Sequence, residues 1–318
     1  MKNYDLASLT KPLITAPLAL SSLNLDEDYT SVLGFNDSTY RLTPRALLSH
    51  SSGLPPWLPF NETPLSTLLE SDIPWGMHPL LRKAPEKLAC YSDLNYRLLG
   101  ELVALFADED YLSLAQKHSI LKPFPWTPGC IEIPPGPDHE AWQCIDPRVS
   151  IPPYNTSLPH DINARAGMRG HAGFAANPDE FKKSINYWIE EKFPQRMSRE
   201  PIHGENGSLW GLGLQKLRTG TGSLGDLLSR IPLGALSEPL VIEGSSDHLS
   251  IDVDQSHTGD CAWWGHLAFT GPAIFYRPED QACIGLLTHR KGPQGELLTQ
   301  PQIHARRIEL LGRAVESL

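Results

Sequence analysis

Two stretches of this 318-residue chain set a serine three positions before a lysine: Ser8-Leu9-Thr10-Lys11 and Ser119-Ile120-Leu121-Lys122. On a helix that spacing puts both side chains on one face. A lysine that loses its charge through burial can take the serine proton. A helix N-terminus also favours negative charge growing on the serine oxygen. The chemistry is that of an activated hydroxyl nucleophile. The spacing alone is weak, because 26 serines and 11 lysines give about one match by chance in a chain this long. By spacing, both are as well read as helix surface.

Other residues carry the same double reading. Tyr91 is a single tyrosine at a helix entry, and such a residue is more often a buried aromatic. Asp93 is explained without catalysis as the N-cap of the helix that follows it. His50, in LLSHSSGL, and His171, in GHAGF, read better as structural histidines than as catalysts. The twelve histidines form no H-E-x-x-H or His/Asp cluster, so no metal is expected. GLGL (211–214) and GTGSLG (220–225) lack the Lys-Ser/Thr of a phosphate loop, and no cofactor is expected.

The elements that must position these residues follow from periodicity. Residues 7–20 read as a helix, with Pro12 tolerable near its start and Pro17 kinking it. Thr43 and Pro44 open a short helix over 43–51. In 93–106, Leu94, Leu98, Leu102, Leu105 and Phe106 share one face, the clearest helix of the chain. Residues 178–191 and 299–317 are also helical. Short strand-like runs lie at 209–217, 239–251, 261–270, 272–277 and 281–289. The expected fold is α/β of the α+β type: an antiparallel sheet covered by the first and last helices, with a mostly helical lobe between them. The division expected is 1–20 plus 205–318 for the sheet domain and 21–204 for the inserted lobe.

Composition limits the partners. Lys+Arg 27 against Asp+Glu 37 leaves a net charge of −10, which repels a phosphate backbone, so nucleic acid is not an expected partner. No apolar run reaches the roughly 18–20 residues of a membrane span. The 29 prolines are about 9% of the chain against a usual value near 5%, and concentrate in loops at 52–90 and 122–160. Five scattered cysteines without a C-x-x-C read as reduced thiols. If Met1 is the true start, the expected compartment is the cytoplasm; an upstream leader would place the chain in a periplasm.

Context separates the two Ser-x-x-Lys stretches. YDLASLTKPLITAPLAL (4–20) resembles the nucleophile segment of the serine β-lactamase and penicillin-binding-protein superfamily, closest to its class C-like branch of esterases and β-lactamase-related hydrolases. Six further strings follow in the order seen in that superfamily: LNLDEDY (23–29), LTPRALLSHSSGLPPW (42–57), YSDLNYRLLGELV (91–103), LPHDINARAGMRGHAGFAANPDEF (158–181), WGLGLQ (210–215) and GHLAFTGPAIFYRPED (265–280). The resemblance implies a β-lactamase/transpeptidase-like fold in a bacterial hydrolase. It implies Ser8 as nucleophile, Lys11 as the group that helps deprotonate it, and Tyr91 as a second proton-transfer group shifted toward phenolate by Lys11. His266 would replace the lysine of a K-T-G motif. Asp93 and Ala268 would line the substrate site, and the N–H groups of Ser8 and Phe269 would form the oxyanion hole.

Three departures qualify it. The third motif reads His266-Leu267-Ala268, without the hydroxyl that normally helps hold a substrate carboxylate. His257-Thr258-Gly259 has the letters of the motif but not its strand context. Asp93 stands where the family has Asn; its carboxylate could pair with Lys11 and keep it protonated. Only seven residues precede Ser8, where the family has a helix and two strands, so a sheet edge is left either exposed or covered by something else. The expected function is a serine hydrolase acting through an acyl-enzyme on a small ester, amide or peptide-like substrate. The alternative is a catalytically weak or inactive member that binds a ligand or partner. The oligomeric state is not legible in the sequence.

Overall fold

The computed structural model describes residues 3–34, 41–54, 88–119, 121–123, 161, 164, 170–204, 207–245, 259–293 and 296–318. Its central feature is the helix that begins at the first Ser-x-x-Lys. Ala7–Leu9 form a 3₁₀ turn, Lys11–Thr15 a π-helical turn, and Ala16–Ser22 the α-helix α1. Pro12 has no N–H to give to an earlier carbonyl, and its ring crowds the preceding turn, so the ladder widens there. The irregularity thus falls at Pro12. Pro17 sits in the first turn of α1, where a missing N–H costs nothing. Leu9 to Leu20 are all buried; a helix covered on every side is a core helix.

The remaining helices follow their local signals. α2 (Pro44–Leu48) is capped by Thr43, whose Oγ1 accepts the Ala46 N–H at 3.1 Å. α3 (Asp93–Ala107) buries Leu94, Leu98, Leu99, Leu102 and Val103. Leu105 and Phe106 do not join that face; they are 60% and 51% exposed. Ser92, not Asp93, occupies the N-cap position, without a side-chain cap. α4 (Tyr111–His118) is capped by Asp110. α5 (Pro178–Glu190) and α8 (Gln300–Glu316) open with capping boxes, Asn177/Glu180 and Thr299/Gln302. Between them lie α6 (Phe193–Met197) and α7 (Leu224–Ser229).

A small antiparallel sheet joins β1 (Tyr4–Asp5), β3 (Phe174–Ala176) and β2 (Lys122–Pro123) in the order β1-β3-β2. The large sheet contains β4 (Ile202–His203), β5 (Leu209–Trp210), β6 (Gln215–Thr219), β7 (Leu240–Glu243), β8 (Gly259–Leu267), β9 (Ala273–Arg277) and β10 (Ala282–Leu287). Its order is β4-β5-β6-β8-β9-β10-β7. The expected single run at 209–217 is two strands. Gly211 N bonds Leu214 O at 2.8 Å and Gly213 takes φ +108°, so the chain reverses between them.

Strand alternation feeds two cores. Ala273, Phe275, Ile284 and Leu286 pack with Leu310 and Leu311 of α8, while Ile274, Tyr276, Cys283 and Leu287 pack with the nucleophile helix and Trp188 of α5. The sheet is therefore covered by the first and last helices, as the sequence implied. Every neighbouring pair is antiparallel except β10–β7, which is parallel. β7 is the last strand of that order. The flank of β10 is covered by β7, and Tyr4 OH ties it to the nucleophile segment through Glu243 Oε1 at 2.7 Å. Among the described residues, no helix is long and apolar enough to cross a membrane.

Candidate active site

The nucleophile candidate sits on a forced turn. Ala7 has φ +43°, a left-handed conformation that costs a non-glycine residue of order 1 kcal/mol. The Asp5 carboxylate offsets that strain by accepting the Ala7 N–H at 2.8 Å, and β1 is anchored by Leu6 N to Phe174 O at 2.9 Å. Ser8 follows, half-buried and so accessible.

Lys11, one turn on, is fully buried. Its Nζ lies 3.1 Å from Ser8 Oγ, 3.0 Å from His171 O and 2.7 Å from Asp93 Oδ1. An ammonium donates to the Ser8 oxygen and the His171 carbonyl and forms an ion pair with Asp93. A neutral amine keeps the bond to the His171 carbonyl and turns its lone pair toward the Ser8 hydroxyl, so one position of Nζ serves both states. Burial pushes the Lys11 pKa down, and the charges of Asp93 and Asp161 oppose that.

Tyr91 donates its hydroxyl to Ser8 Oγ at 2.9 Å, so three groups named from the sequence meet at one oxygen. Its expected shift toward phenolate is not found. Burial, and then the Asp93 charge, push the phenol well above its ordinary value. Lys11 does lie 5.1 Å from the ring centroid, but burial first, and the Asp93 charge second, set the direction of the shift. Asp93 is thus a partner of Lys11 rather than a helix cap.

His266, on β8, is buried, with ring centroids 5.9 Å from Tyr91 and 6.2 Å from Trp210. Burial and the charge of Lys11 hold its pKa near 3, so the ring is neutral, and neither nitrogen has a hydrogen-bond partner among the described residues. Beyond it, Ala268 and Phe269 enter a turn closed by Gly271 N to Ala268 O at 3.2 Å. Thr270 Oγ1 bonds Asp5 O at 2.6 Å, which ties that turn to the segment leading into Ser8.

The two histidines read as structural have defined places. His50 Nδ1 accepts the Ser92 N–H at 3.1 Å, and its ring packs 4.7 Å from Tyr91. His171 holds Asp161 through Nε2 at 2.8 Å while its carbonyl holds Lys11. Asp161 and the His171 carbonyl both act on Lys11, and both lie in the 158–181 string. The second Ser-x-x-Lys does not form a helical pair, since Ser119 ends α4 in extended backbone and its Oγ accepts the Leu121 N–H at 3.0 Å. His257 and Thr258 lie outside the described residues. Among those described, no group of three or more His, Cys, Asp or Glu could hold a metal ion.

A sheet covered by the serine-bearing helix on one face, with lysine and tyrosine converging on that serine, defines a protein of the β-lactamase/transpeptidase fold. The family model described as Beta-lactamase matches residues 3–306, and the chain belongs to that family. A class C beta-lactamase superposes with TM-score 0.55 at 12% identity, over 99% of this chain and 82% of that one. The D-amino acid amidase from Ochrobactrum anthropi SV3, complexed with D-phenylalanine, gives 0.54 at 16%, over 99% and 92%. The penicillin binding protein from Bacillus halodurans gives 0.48 at 13%, over 99% and 86%. No curated protein matches the chain.

Proposed function

We propose that the protein is a serine hydrolase that cleaves a small ester or amide through an acyl-enzyme on Ser8. The observation that carries this reading is the convergence of Lys11 Nζ (3.1 Å) and Tyr91 OH (2.9 Å) on one accessible serine oxygen. Ser8 Oγ attacks the carbonyl carbon as the Lys11 amine takes its proton. The N–H groups of Ser8 and Phe269 stabilise the oxyanion. As the tetrahedral intermediate collapses, the leaving group takes a proton from the Tyr91 phenol, which its raised pKa keeps protonated, and the Lys11 ammonium returns that proton. Water then attacks the acyl group as Lys11 takes its proton, and on collapse the Ser8–acyl bond breaks and the Lys11 ammonium returns that proton to Ser8 Oγ. His266 presents a neutral ring to the substrate, one nitrogen donating and the other accepting. Leu267 and Ala268 offer no hydroxyl for a substrate carboxylate, which favours esters and amides over β-lactams. D-amino acid amides belong in the substrate panel.

One observation favours a second reading, a weak or inactive ligand-binding member: the Lys11–Asp93 contact at 2.7 Å stabilises the ammonium, which is not a base. Turnover separates the two. The first reading expects hydrolysis of at least one ester or amide in a panel, abolished by Ser8→Ala. Ligand binding that survives Ser8→Ala, with no turnover of any ester, amide or lactam, supports the second.

A further inference from the structure

The turn that carries the second oxyanion donor is held by a buried arginine of the last helix. Arg307 of α8 is 3% exposed. Its Nη2 donates to Ala268 O, and its Nε donates to Gly271 O at 2.8 Å. Among the described residues no carboxylate pairs with it. Burial and the neighbouring Arg290 lower its pKa to about 9, which still leaves a cation at neutral pH. Burying a cation without an anion is costly, and these bonds direct it to the two ends of one four-residue turn. Ala268 O matters most. It belongs to the peptide unit whose other end is the Phe269 N–H. In a trans peptide the two groups point in opposite directions, so fixing the carbonyl fixes the aim of the N–H. A cation on the carbonyl also polarises the unit and strengthens the N–H as a donor. From the opposite side Thr270 ties the same turn to Asp5, which also caps the strained residue before Ser8.

We propose that Arg307 and Thr270 are positioning residues for the oxyanion hole: Arg307 aims and polarises the Ala268–Phe269 peptide, and Thr270 sets its distance from Ser8. This rests on the acyl-enzyme reading of Ser8. The effect is on the transition state, because ground-state binding does not need the N–H at the oxyanion position.

The test is phosphonylation of Ser8 by a fluorophosphonate, resolved into maximal rate and half-saturation. Wild type is compared with Arg307→Lys, Arg307→Gln and Thr270→Val, each first checked by thermal melting. Loss of a whole oxyanion donor costs about 10²–10³-fold. A misaimed one is expected to cost about 10–100-fold in maximal rate for Arg307→Gln. Arg307→Lys should fall between, since it keeps the charge but loses the fork. Thr270→Val, close in shape, should slow labelling several-fold. Half-saturation should stay within about threefold in all, and phenylboronic acid, which forms a tetrahedral adduct, should lose affinity in step with the rate. Folded variants that label at the wild-type rate, or that lose half-saturation and rate together, overturn the proposal. If the arginine variants do not fold, Thr270→Val alone decides it in the same way. Absence of labelling in wild type removes the acyl-enzyme reading itself, a different result from unchanged rates.

Discussion

Replacing Lys11 with Met strands a carboxylate, and the size of the penalty follows from the geometry. Lys11 is fully buried, and its Nζ touches Asp93 Oδ1 at 2.7 Å and His171 O at 3.0 Å. At 2.7 Å and an effective dielectric of about 20 the gross attraction is about 6 kcal/mol. Desolvation takes back several kcal/mol per ion, so the pair's net contribution is small. Removing one partner is different. It leaves the other buried and unpaired, which typically costs about 3–5 kcal/mol. The Asp93 side chain keeps 21% exposure, which lets water reach it and puts the expected loss at the low end, about 3 kcal/mol. In Lys11→Met/Asp93→Asn the stranded charge is gone, so part of the loss should return, with a coupling of about 1–3 kcal/mol. Urea unfolding of wild type, both single variants and the double variant gives the cycle. Strictly additive losses would mean that the two charges do not interact in the folded protein. The Lys11 geometry behind the mechanism would then be wrong.

Other expectations follow from the same contacts. Asp93→Asn removes a charge that raises the Lys11 pKa and one that raises that of Tyr91. More of Lys11 is then neutral at a given pH, so the acid limb of kcat/KM should move to lower pH; an unmoved or raised limb contradicts Lys11 as base. Tyr91→Phe removes one hydroxyl bonded to Ser8 Oγ and should slow turnover about 10²–10⁴-fold with little change in melting temperature. Asp280 is held near pKa 2, chiefly by hydrogen bonds from Arg277. A depressed carboxylate stabilises the fold above its unfolded value and loses that contribution as pH falls through the folded one. Asp280→Asn should therefore lower stability at pH 7 by about 2 kcal/mol and much less at pH 2, read by denaturant unfolding at both. Gly285→Val would drive a side chain into Phe181, whose ring already lies 2.5 Å from a built Cβ, and should cost about 1–3 kcal/mol in the same assay.

Much of the architecture was legible because its elements obey local rules. Thr43, Asn177 and Thr299 cap where their residue types predict, and β9 and β10 alternate between two cores. The misses have physical causes. Leu105 and Phe106 fit the period of α3 but lie past the point where its apolar face is covered. The 209–217 run is continuous in apolar pattern, but Gly211 and Gly213 let the backbone reverse inside it. β7 was expected as a strand, but its parallel seat on β10 depends on pairing across some forty residues. In the site, Ser8, Lys11 and Tyr91 were legible through the ordered strings. The sign of the Tyr91 shift was not, because it depends first on how deeply the folded chain buries the phenol and then on the Asp93 charge beside it. Arg307 and Thr270 act through backbone carbonyls, which leave no pattern of residue types to read.

The measurement that bears most directly on the central claim is mass mapping of a covalent adduct. Wild-type protein would be treated with a fluorophosphonate, digested and sequenced by mass spectrometry. A single phosphonyl adduct is expected on Ser8, absent from Ser8→Ala and strongly slowed in Tyr91→Phe. An adduct on another residue, or unchanged labelling of Ser8→Ala, would contradict it.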